Sequence, residues 1–144
     1  MSISAAYLPD AETREPYDYT PECSRRMRAV EIWAALASLG RNGLADLIET
    51  CCRHAAMMAE GLAEAGYEVL NDVKLNQVMV SFGDDGLTER VIAGLQADGT
   101  AWCGGTHWHG RAAMRISFSS HATTDADVAK SLDAILRVAR SNAG

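Results

Sequence analysis

Lysine is almost missing from this sequence: only Lys74 and Lys130 occur among 144 residues. Lys74 falls in a turn between two candidate strands, and Lys130 on the polar side of a candidate helix. Neither has the apolar surroundings that lower an amine pKa far enough for Schiff-base chemistry. Proline is confined to Pro9, Pro16 and Pro21, which leaves the rest of the chain open to regular structure. No apolar run approaches the ~20 residues that cross a bilayer. Met1-Ser2-Ile3-Ser4-Ala5-Ala6-Tyr7 has neither the basic start nor the apolar core of a signal peptide. The four cysteines, Cys23, Cys51, Cys52 and Cys103, lack the spacing of a disulfide framework, so reduced thiols in the cytoplasm are expected. Positive charge is scarce too. A formal net charge of −6 disfavours nucleic acid and anionic membranes as partners, despite the local cluster Arg25, Arg26 and Arg28.

What remains describes one soluble α/β (α+β) domain, 48% hydrophobic and 22% charged. Residues 1–23 hold the three prolines, three of the four tyrosines and five acids, with no periodicity, and read as a mobile arm. Two helices follow. The first starts from a Ser24 cap and ends near Leu39 with Gly40 beyond it; the second runs from about Gly43 to Ala65 with Asn42 as its cap. Its stripe of Leu44, Leu47, Ile48, Cys51, Ala55, Met58 and Leu62 is the clearest in the chain. Thereafter strands and helices mix: strands at 68–70 and 77–82, a helix capped by Thr88, a short strand over 100–103, and a last helix capped by Thr124. The sum is about four strands backed by helices.

Two chemical constellations fail on spacing. Cys103, His107, His109 and His121 lie close in sequence, but they show neither CxxC nor HExxH, so no metal site is expected. His107 and His109 instead read as partly exposed residues flanking a buried Trp108. Gly104-Gly105-Thr106 lacks the lysine of a phosphate loop and reads as a turn, and there is no G-x-S-x-G. Met114-Arg115-Ile116-Ser117-Phe118-Ser119 is more informative. Its alternation predicts a strand with one apolar face and Arg115 on the other, where a guanidinium can grip a carboxylate with two parallel bonds.

Several stretches, in order, resemble the C-terminal part of the group II pyridoxal-phosphate-dependent amino-acid decarboxylases. That family contains the glutamate, aromatic-amino-acid and diaminobutyrate decarboxylases, on the aspartate-aminotransferase fold (fold type I). The matching residues are Ala6-Tyr7-Leu8-Pro9, Ser24 through Trp33, Leu39-Gly40 and Gly43-Leu44. They continue with Leu75-Asn76-Gln77-Val78, Asp98-Gly99-Thr100, Gly105 through Arg111, Met114-Arg115-Ile116-Ser117 and Thr123-Thr124-Asp125 with Asp127.

The resemblance implies a C-terminal small domain over 24–144, preceded by an arm, 1–23, that corresponds to the family's catalytic loop. It implies that Tyr19, or as second choice Tyr17, returns a proton to the substrate after CO2 leaves, and that Arg115 contacts the substrate carboxylate. The family's cofactor-binding large domain, with its Schiff-base lysine, has no counterpart in these residues. Pyridoxal phosphate is therefore expected in the complete enzyme and not on this chain alone. Activity then requires the large domain in cis or in trans, with an amino-acid substrate and a homo-oligomeric assembly. The alternative is a small α/β module that associates or binds without catalysis.

Overall fold

The computed structural model describes residues 26–143. Helix α1, Ala29–Glu64, is interrupted at Gly40, where φ 61° and ψ −169° leave the helical region. This break separates two compact units, one up to Gly40 and one from Arg41 onward. The predicted stop at Gly40 is therefore real, but the predicted connection is not. Helical structure resumes at Arg41, so Asn42 lies inside the helix instead of capping it. The Ser24 cap falls outside the described residues. In the first unit the helix carries Val30, Trp33 and Leu36 on its surface, with Ile32 and Leu39.

The second unit contains the remaining elements in the order β1 Glu68–Val69, β2 Gln77–Ser81, α2 Asp85–Asp98, β3 Gly104–Trp108, β4 Arg111–Ser117 and α3 Asp125–Asn142. They form a four-stranded sheet of order β1-β2-β4-β3 in which every pair is antiparallel. Alternation decides which side is buried. Val78 and Val80 of β2 and Met114 and Ile116 of β4 join one apolar core with Ala55, Met58 and Leu62 of α1. Val91 and Leu95 of α2 and Val128, Ile135 and Val138 of α3 complete it. Within this unit, the described helices thus cover one sheet face and leave the other without a helix.

Two local expectations are corrected. Helix α2 starts earlier than predicted: Asp84 is its N-cap, accepting from the Leu87 amide at 2.7 Å. Thr88 is buried within the helix, and its hydroxyl accepts from the Phe82 amide at 3.1 Å. The second correction concerns the glycine pair. Residues 100–103 are not a strand; Gly104 and Gly105 instead open β3. The Thr124 cap stands, with Asp127 completing a reciprocal capping box.

Candidate functional site on the open sheet face

Strand β4 builds the candidate site. Arg115 is exposed, whereas Met114 and Ile116 on either side of it are buried. Strand pairing places Met79 of β2 directly across from Arg115 on one side and Gly104 of β3 on the other. Directly opposed residues share a face, so Met79, Arg115 and Gly104 form a row across the open side. Among the described residues no carboxylate forms an ion pair with Arg115.

Four residues earlier on the same face, Arg111 is differently placed. Its guanidinium donates to both oxygens of Glu68, at 3.0 and 2.7 Å, and reaches the Ser81 hydroxyl at 3.5 Å. The pair spans β2 and ties β1 to β4. The Arg111 hydrogen bond holds the Glu68 carboxyl below its ordinary value, and Glu68 in turn raises Arg111. Of the two strand arginines, one is therefore committed to a fork-on-fork pair and the other is not. Nothing in the spacing of Glu68 and Arg111, 43 positions apart, signals this contact. A shallow depression of about 670 Å³ adjoins the row, bordered by Asn71, Leu75, Asn76, Gln77, Met79 and Trp108.

The residues weighed for a metal site do not converge. Strand β3 ends at Trp108, and His109 with Gly110 makes a two-residue hairpin turn, with φ 49° and 82°. Positive φ at both central positions is the requirement of the turn type whose twist suits a tight hairpin. His109 therefore leaves the strand, and Trp108 is half-buried instead of buried. Burial pushes the Cys103 thiol up to about 11, so it stays protonated at neutral pH. Among the described residues no group of three histidine, cysteine or acidic side chains could hold a metal. Lys74 is exposed beside Asp72, at 2.8 Å, and Lys130 is exposed on α3. Neither amine is buried, so neither has the desolvated setting that lowers an amine pKa.

One cluster has no counterpart in the sequence reading. His54 of α1 is buried, and its Nε2 lies 3.0 Å from Oδ1 of Asp125 at the start of α3. Arg53 donates to the same oxygen at 2.6 Å. A carboxylate only accepts, so Nε2 of His54 is the donor. Nδ1 is buried without a hydrogen-bond partner. Together Arg53 and His54 hold the Asp125 carboxyl below its ordinary value. His54 lies one turn from Cys51 and Met58, and that position on the buried stripe was the available signal. Tyr17 and Tyr19 lie outside the described residues.

No family model matches the chain, and no curated protein matches it. Solved structures do. Oryza sativa TDC with PLP superposes with a TM-score of 0.76 at 17% identity, over 86% of this chain and 29% of that one. Catharanthus roseus tryptophan decarboxylase in complex with L-tryptophan gives 0.73 at 18% identity, over 82% and 26%. Mouse CSAD gives 0.70 at 18% identity, over 94% and 32%. The chain spans about a third or less of the length of these structures. At such identity the likeness establishes the fold: three helices and a four-stranded antiparallel sheet, as in the C-terminal small domain of fold type I decarboxylases.

Proposed function

We propose that this chain is the C-terminal portion of a pyridoxal-phosphate-dependent amino-acid decarboxylase, in which Arg115 holds the substrate carboxylate. One observation carries the reading: an arginine uncommitted to any described acid stands at mid-strand on the uncovered face of a decarboxylase-like fold. A carboxylate that is to leave as CO2 must be held at a fixed angle to the reacting centre, and a planar two-donor fork on a rigid strand does this. Tyr19, with Tyr17 as second choice, returns a proton to the substrate's α-carbon after CO2 departs. The cofactor belongs to a large domain in cis or in trans, because the described residues do not fit it. A homo-oligomer in the cytoplasm is the expected assembly.

The wide apolar arc of the helix before Gly40 supports a chain that is covered in its working form. A non-catalytic association module predicts the same arc, so the arc does not separate the readings. Reconstitution does. Mixed with its cofactor-binding large domain, the chain should release labelled CO2 from carboxyl-labelled amino acids, and either part alone should not. Replacing Tyr19 with Phe should abolish most product formation while the complex still assembles. A well-formed complex that releases no CO2 from any amino acid favours the association module.

A further inference from the structure

The two glycines that open β3 face opposite sides, and their surroundings differ. A side-chain carbon placed on Gly105 would meet Cδ1 of Ile92 at 3.5 Å, on the helix side. One placed on Gly104 would meet nothing within 4 Å, although Gly104 lies directly across from Arg115. Gly104 is not among the positive-φ glycines, so its backbone does not require glycine. Glycine inside a strand weakens it, since it has no side chain to pack and more chain entropy to lose. At this position the strand forgoes a cross-strand contact and gains only open space opposite Arg115.

We propose that Gly104 is a specificity-determining residue: having no side chain, it leaves open the flank by which a flat, carboxylate-sized group reaches Arg115. This deepens the decarboxylase reading and rests on Arg115 as the carboxylate-holding residue. The flank is asymmetric. On the β2 side Met79 fills the corresponding place, so the approach runs over β3. A side chain at 104 would stand in the path without touching the helices or the core. The effect of size at 104 is therefore on access, and not on folding.

Arginine-directed dicarbonyls read this directly in the full 144-residue chain. They are flat electrophiles whose carbonyl carbons are attacked by the guanidine nitrogens themselves, and mass spectrometry assigns the modified residue. In the native sequence phenylglyoxal should modify Arg115 faster than Arg111, whose fork Glu68 occupies. Gly104→Leu should slow phenylglyoxal at Arg115 about fivefold or more, and the smaller butanedione less, by filling space that is now empty. Arg140, exposed on α3, should react at an unchanged rate in every variant. Gly104→Val serves if the leucine variant does not keep the native melting temperature. Equal rates at Arg115 in native, Leu and Val chains would overturn the proposal, as would an Arg115 no faster than Arg111 in the native chain. Protection by added acetate or amino acid tests the carboxylate reading separately. If residue 104 controls the rate but no carboxylate protects Arg115, the open flank stands and the carboxylate role fails.

Discussion

Individual side chains here show how burial turns a small contact into a large requirement. Thr88 is fully buried, and its hydroxyl serves the Phe82 amide at the end of β2. Thr88→Val keeps the shape and removes the acceptor, leaving that amide unpaired. We expect a loss of about 1–3 kcal/mol by denaturant titration, since an orphaned buried donor forfeits its full solvation. A valine variant as stable as the native chain would place water at that amide. His54 makes a second test. Its geometry with Asp125 requires a proton on Nε2, so 15N spectroscopy should show Nε2 as a protonated nitrogen hydrogen-bonded to a carboxylate. An unprotonated Nε2 would mean that the contact between α1 and α3 is not the one described.

Contacts between elements respond to pH as well as to shape. Arg137 of α3 donates to Asp98 at the end of α2 at 2.8 Å, and with Thr100 it lowers the Asp98 carboxyl to about 2. Glu68, Asp125 and Asp127 are lowered too, by Arg111, by Arg53 with His54, and by Thr124 respectively. A carboxyl lowered on folding adds stability above its unfolded value, and that stability is lost as pH falls toward the folded value. Denaturant midpoints should therefore be level above about pH 5, begin to fall near pH 4 where free carboxylates protonate, and keep falling toward the lowered value of Asp98, about 2. Arg137→Met should flatten part of that decline. A decline of unchanged size would mean the pair contributes nothing, as exposed pairs often do. The β3–β4 hairpin tests differently: Gly110 sits at φ 82°, so Gly110→Ala should cost about 1 kcal/mol in left-handed strain.

Element existence was legible from periodicity, whereas several boundaries and cross-chain contacts were not. Alternation at Val78, Val80, Met114 and Ile116 predicted two strands, and both occur. Thr124 with Asp127 marked a helix start, because that cap is closed within four residues. Thr88 misled, since it is also a good cap residue and only the tertiary contact with Phe82 decides its place. The glycine pair at 104–105 misled for a similar reason. Glycine punctuates turns, yet here strand pairing with β4 overrides that preference. No proline or Asn-Gly pair marks the His109-Gly110 turn in the sequence; positive φ at both residues takes His109 out of β3. Glu68 with Arg111 and His54 with Asp125 join residues far apart in sequence, and no local pattern encodes such pairs.

Within the second unit, the described elements separate a helix-covered sheet face that holds the fold from a face that holds Arg115. No helix among the described residues is long and apolar enough to cross a membrane. The central claim is that Arg115 serves a ligand and not the fold, and one comparison tests it most directly. In the reconstituted decarboxylase that the proposed function calls for, kcat/KM for decarboxylation and the melting temperature are measured for native, Arg115→Lys and Arg115→Gln chains. The account predicts that Gln lowers kcat/KM by about one to two decades, the loss of a charge-assisted pair worth roughly 1.5–3 kcal/mol. Lys should restore only part of it, because an ammonium cannot reproduce the two-donor fork, and all three chains should melt alike. Unchanged decarboxylation with a melting temperature several degrees lower in the Gln variant would contradict the account and make Arg115 a structural residue.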